Sequence, residues 1–258
     1  MILAVVVFVA FLCIWVLPPY LKQGKVNRPS FKWNLLAMAL SAVAVFFAAA
    51  GLQLLLLKVQ AAVNAPTVVD RALDAFISAS LIEEFFKGLV GALVLKWSKA
   101  IRRIDAIFIF AASGIGFEVT ESLMSMGEGS DLIAGILRGA LCLHVFLQLF
   151  MGAYYYKFKK TGKTWDFCLA FLVPFVVHGL NDFFLFLMQD SLGAITEMDP
   201  QVLTEGTATA GTDAIIGLVY MLLVLALNIV FMVITLRMVY REAKLSRAVQ
   251  ATEDKQEA

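Results

Sequence analysis

Charge is scarce in this chain. Only 16% of its 258 residues are Asp, Glu, Lys or Arg, while 61% are hydrophobic and the mean hydropathy is +0.84. Ordinary soluble domains carry about 25% charged residues, so the shortage excludes a soluble globular domain and points to a polytopic membrane protein. Histidine is scarcer still, with only His144 and His178 present. No HExxH occurs, which removes the soluble metalloprotease signature. The three cysteines, Cys13, Cys142 and Cys168, lie in apolar segments without CxxC or zinc-knuckle spacing and read as small buried hydrophobes. A serine mechanism also lacks support, because Ser78, Ser80 and Ser113 have no nucleophile-elbow context. Cys142 and His144 are two apart, about 200° around a helix, and so point away from each other. There is no internal repeat, low-complexity linker or second soluble domain. A net charge of +1 gives no sign of a nucleic-acid partner, and none is expected.

What is there is a succession of long apolar runs. Met1–Leu17, closed by Pro18-Pro19, reads as a first, uncleaved transmembrane helix, since no basic residue precedes it and no small-x-small cleavage site follows. Further spans are expected over about 34–57, 73–95, 106–124, 132–156, 167–188 and 214–236. The fold class is therefore all-α, a bundle of about seven transmembrane helices over residues 1–240, with a polar tail at 241–258. A polar stretch, Gln189–Asp213, carries five acids and no base.

The positive charges orient this bundle. If the helices alternate, the loops after spans one, three and five and the tail share a side and hold 17 of the 21 Lys and Arg residues; the other side holds Lys58 and Arg71. By the positive-inside rule the N-terminus is outside and the C-terminus cytoplasmic. The expected location is a bacterial plasma membrane, with the lipid bilayer itself as one partner.

Against this background Leu81–Leu89 stands out, because it sets Glu83, Glu84 and Lys87 in the middle of an apolar span. A charge at the bilayer centre costs about 2.5–3.5 kcal/mol even on the gentler insertion scales. Either acid can meet Lys87 on one helix face. Lys87 is slightly better spaced for Glu83, which leaves Glu84 to face a site. Depth along the spans, at about 1.5 Å per residue, puts both acids, His144 and His178 near one layer of the bilayer. Asp182 follows His178 by one turn, and Glu118 and Glu121 lie three apart on the fourth span. Taken singly, each has a structural reading: a helix-to-helix hydrogen bond for a histidine, a neutralised pair for Glu83–Lys87, snorkelling for Arg138. Arg138 also lies inside Gly135–Gly139, a GxxxG spacing suited to close packing. A shared depth on four helices is not what independent structural pairs would give.

Two imidazoles and a carboxylate are the ligand composition of catalytic zinc sites, and a further carboxylate near the metal's water can act as general base. The same acids and histidines could build the relay of a proton- or ion-coupled transporter. The sequence holds no inverted repeat or pair of broken helices to favour that alternative; Pro174 is the one candidate kink.

The motifs Glu83-Glu84-Phe-Phe-Lys87, Gly116-Phe117-x-x-x-Glu121, Arg138 with His144 six later, and His178-Gly-Leu-Asn-Asp182-Phe-Phe resemble, in order and spacing, those of the PrsW family of intramembrane proteases. That family is related to the CAAX prenyl protease and bacteriocin-processing group. The match covers about Ser80–Phe186. The resemblance implies a multi-pass hydrolase that cuts a peptide bond of a membrane protein or peptide substrate, with membrane-held anti-sigma factors as one substrate class. Carried over by position, Glu83 and Glu84 are the essential acid pair, with Lys87 beside them as a candidate catalytic residue. Glu121, His144, His178 and Asp182 complete the polar cluster as candidate metal ligands, zinc being the expected metal. Two features depart from the family pattern. Ser122 stands where an Asn is common after the second motif's acid, and Glu118 is an extra acid that leaves open which of Glu118 and Glu121 faces the site.

Overall fold

A backbone threaded through apolar runs has no water to bond to, so its amides must be satisfied along the chain; among the described residues every regular element is helical. The structure is a computed structural model and describes residues 31–63, 66–99, 102–127, 143–196 and 208–257. The expected first span, Cys13, Cys142, Arg138 with its GxxxG, and the start of the fifth span lie outside these residues.

The elements are α1 (Phe31–Leu40), a π-helical segment (Ser41–Val45), α2 (Phe46–Val63), α3 (Thr67–Leu73), a second π-helical segment (Asp74–Leu81), α4 (Ile82–Ser98), α5 (Arg103–Gly127), α6 (Leu143–Thr161), α7 (Thr164–Thr196) and α8 (Ala208–Glu257). Each π segment joins its flanking helices without a break, because the bounding residues keep right-handed helical torsions. Helix α4 ends at Lys99 in the left-handed conformation, φ 54°. The α6–α7 connection turns on Gly162 (φ +67°), whose N–H donates to the Phe158 carbonyl at 2.8 Å, the glycine-closed helix end that lacks a Cβ penalty. Pro174 does not interrupt α7. The chain after Tyr240 continues as helix to Glu257.

Among the described residues three helical stretches are long and apolar enough to cross a membrane: Lys32–Leu56, Thr164–Ser191 and Thr212–Leu245. Helices α5 and α6 form the interior. Every residue from Ile104 to Glu118 and from Leu143 to Ala153 is buried. Glycines let them approach. A Cβ on Gly114 would lie 2.6 Å from the His144 carbonyl oxygen, and one on Gly116 would run into the carbonyl of Met38 on α1. Around this interior the outer helices turn apolar side chains outward, such as Val43, Phe47 and Leu54 on the first stretch and Leu218, Leu222 and Val230 on the last. Helix α4 is split lengthwise: Phe85, Leu89, Leu93 and Trp97, at intervals of four, are exposed, while Glu84, Lys87, Gly91 and Val94 face inward and are buried. So much exposed apolar surface requires lipid around it.

Candidate functional site

The inward face of α4 meets α6 and α7 in the middle of the protein, and there the buried charges collect. Lys87 is fully buried, and its Nζ lies 2.6 Å from Glu84 Oε1, 3.4 Å from Glu83 Oε2 and 2.9 Å from His144 Nδ1. The same ammonium sits 4.3 Å from the centroid of Phe117, whose ring meets His144 edge-on at 5.2 Å. Helical spacing alone favours Glu83 as the partner of Lys87; the structure gives Glu84 the shorter contact. An interval of three or four is sterically open to a lysine on a helix, and the neighbouring helices decide between them.

Glu84 is held on three sides. Besides Lys87, its carboxylate accepts from Gln148 Nε2 at 2.8 Å and lies 2.9 Å from His178 Nδ1. Glu83 is less tied: Gln53 Nε2 donates to it at 3.0 Å, and His178 Nε2 stands 3.8 Å away. The two imidazole rings meet edge to face, centroids 4.8 Å apart. Each also touches an acid. His144 Nε2 is 2.7 Å from Glu121 Oε2, and His178 Nε2 is 3.1 Å from Asp182 Oδ2. With Nε2–H of His144 donating to Glu121, its Nδ1 is left to accept from Lys87. His178 has a carboxylate at each nitrogen.

All seven residues singled out from sequence thus come together: Glu83, Glu84 and Lys87 from α4, Glu121 from α5, His144 from α6, His178 and Asp182 from α7. Of the two candidate acids on α5, Glu121 is the one bonded to His144; Glu118 is buried at 4% exposure. Ser113 Oγ donates to the Lys87 carbonyl at 3.0 Å and Ser80 Oγ to the Phe175 carbonyl at 2.6 Å.

Three amides were missed. Gln53 on α2 and Gln148 on α6 bond the two glutamates directly. Asn228 on α8 acts further out: its Nδ2 donates to Asn181 Oδ1 at 2.6 Å, Asn181 Nδ2 donates to Asp182 Oδ1 at 3.1 Å, and Asp182 holds His178. An apolar helix bears few reasons for an amide, and Gln148, one turn beyond His144, was the signal available.

Glu83, His144 and His178 each offer a ligand atom, and these lie within 4.8 Å of one another. Two imidazoles and a carboxylate are the donor set of a catalytic zinc centre, so the residues fit such an ion in kind. Glu121 and Asp182, each on a ring nitrogen of a histidine, stand where carboxylates commonly orient ligating imidazoles. The Lys87 ammonium occupies the same neighbourhood and shares those donors with any bound cation.

Three curated proteins named Protease PrsW align with the chain. The one from Geobacillus kaustophilus (strain HTA426) is 31% identical over 123 residues, 46% of this chain and 54% of that protein. The one from Oceanobacillus iheyensis is 30% identical over 118 residues, 44% and 54%, and the one from Clostridioides difficile (strain 630) is 28% identical over 123 residues, 44% and 52%. The chain spans about half the length of these relatives. No solved structure matches it. The model of the family described as PrsW family intramembrane metalloprotease matches residues 29–235, which include the whole buried cluster, and the chain belongs to that family.

Proposed function

We propose that the chain is an intramembrane endopeptidase that hydrolyses a peptide bond of a membrane-associated protein. One observation carries the reading: two glutamates, two histidines and a lysine from three apolar helices share one buried cluster, with Glu121 and Asp182 at its edge. Buried charge of this kind is retained for function, since apolar residues would serve the fold better. The relatives' name and the family description support the same activity.

In this reading Glu83, His144 and His178 hold a metal, and a bound zinc would polarise the scissile carbonyl and bring a water toward ionisation at neutral pH. Glu84 takes the proton from the attacking water and returns it to the leaving amine. Lys87 and Gln148 hold that carboxylate in one orientation. Glu121 and Asp182 fix the rings of His144 and His178. The surrounding helices exclude bulk water, so that only water admitted to the cluster reacts.

The bundle crosses the membrane seven times, N-terminus outside and C-terminus in the cytoplasm, in a bacterial plasma membrane. The positive-charge count supports this orientation. The substrate is a membrane-anchored regulator of the anti-sigma-factor type.

The test uses the full chain in detergent or liposomes with a fluorogenic transmembrane reporter peptide. Glu84→Gln is expected to lower cleavage by about 10²–10⁴-fold while stoichiometric zinc is kept. His178→Ala and Glu83→Gln lose both cleavage and zinc, and all variants still insert. Full cleavage by Glu84→Gln or His178→Ala would overturn the reading.

A further inference from the structure

Away from the buried cluster, one cavity of about 390 Å³ opens among α5, α6 and α8, lined by Arg103, Tyr154, Lys157, Arg237, Arg241 and Glu242. That is four cations against one acid. Two of the cations are already engaged. Arg103 Nη1 is 2.6 Å from Glu242 Oε1, and its Nε donates to the Ala153 carbonyl at 3.1 Å. Lys157 Nζ is 2.7 Å from Asp166 Oδ1 and lies over the Tyr154 ring at 5.6 Å. Arg237 and Arg241 are left. They are four apart on α8, so one face presents both guanidinium groups to the cavity, and no ion pair involves either among the described residues. The cavity is large enough for a small ligand, and its unbalanced charge calls for an anion.

Position decides what kind of anion. Arg237 and Arg241 lie near the end of the apolar stretch Thr212–Leu245, and one to two turns before them Val230, Val233 and Ile234 are exposed. A soluble anion would have no use for that apolar strip, whereas a lipid would lay its acyl chains along it with the phosphate at the arginines. Guanidinium groups bind phosphate through two parallel N–H bonds, and basic pockets between membrane helices take anionic head groups in this way.

We propose that this α5–α6–α8 cavity is a binding site for the head group of an anionic phospholipid, its phosphate held by Arg237 and Arg241. The site is independent of the proteolytic reading.

The full chain, exchanged into lipid-free detergent and titrated with phosphatidylglycerol or phosphatidylcholine, is followed by native mass spectrometry. The expected result is one phosphatidylglycerol bound in preference to phosphatidylcholine. Arg237→Gln/Arg241→Gln weakens it roughly 30-fold, from about 1 kcal/mol for each basic residue. Lys159→Gln/Lys160→Gln removes the same charge from exposed residues outside the cavity and leaves that binding within about twofold. Arg241→Gln alone, checked for unchanged helicity by circular dichroism, gives an intermediate loss. Equal loss in both double variants would mean a diffuse surface attraction and overturn the site. Equal retention of the two lipids would overturn it also. Displacement of the lipid by millimolar inorganic phosphate would reassign the cavity to a soluble anion.

Discussion

Lys87→Met is the sharpest test of how the buried cluster is held. The substitution keeps an unbranched side chain of similar length and removes only the ammonium. Glu84 then loses its 2.6 Å partner and retains Gln148 and His178; Glu83 loses a 3.4 Å contact and retains Gln53. Removing one partner of a buried ion pair costs about 3–5 kcal/mol, because the other charge stays buried without compensation. The surviving donors at both carboxylates place the cost at the lower end, about 3 kcal/mol. For a chain of this size that corresponds to a fall in Tm of roughly 6–12 °C. Adding Glu84→Gln should restore part of it, since an amide needs no counter-charge. The double variant is then more stable than the sum of the singles by about 1–3 kcal/mol. Thermal unfolding in a single detergent, followed by circular dichroism for wild type, both singles and the double, supplies the cycle. A Lys87→Met protein that melts within 2 °C of wild type, or a strictly additive cycle, would refute the claim that Lys87 neutralises this site.

Two further outcomes are expected. Asn228→Ala breaks the chain of hydrogen bonds that runs through Asn181 and Asp182 to His178, and it should weaken zinc binding about 10-fold or more by isothermal titration, with Asn228→Ser recovering part of the loss; unchanged affinity would mean that Asn228 only packs α8 on α7. At the start of α5, burial pushes the Asp105 carboxyl above its ordinary value of 3.8, while the hydrogen bonds from Arg102 at 2.8 and 3.0 Å oppose the rise. The fold therefore binds a proton there more readily than the unfolded chain, and stability falls as pH climbs from 3.8 through the raised native value. Asp105→Asn should flatten that part of a Tm-against-pH profile; an unchanged slope would show that other groups set it.

What could be read from sequence was what costs free energy in lipid. A carboxylate or ammonium in an apolar run is an anomaly by itself, and so Glu83, Glu84, Lys87, Glu121, His144, His178 and Asp182 could each be found one helix at a time. The amides could not. Gln53, Gln148 and Asn228 cost far less to bury than a charge and look like ordinary variation in a span. Which helices lie inside was equally hidden, because α5 and α6 are no more apolar than the outer stretches. The signal was in their small residues, Gly114 and Gly116, where a Cβ would strike a neighbouring backbone.

The pairing of Lys87 shows why the two kinds of information differ. Along α4, intervals of three and four are both open, and nothing local prefers Glu84. The choice follows from α6 and α7, which bring His144 to the far side of the ammonium and Gln148 and His178 to the same carboxylate. With Lys87 turned to Glu84, the ammonium meets His144 while the carboxylate meets Gln148 and His178. Glu83 is then left with Gln53 and the weaker lysine contact, beside His144 and His178, where the proposed reading would use it as a ligand. The different partners of two adjacent glutamates are thus set by α2, α6 and α7 rather than by the pair itself. Exchanging Gln148 for Leu should therefore disturb Glu84 more than Glu83, and so impair cleavage more than metal binding.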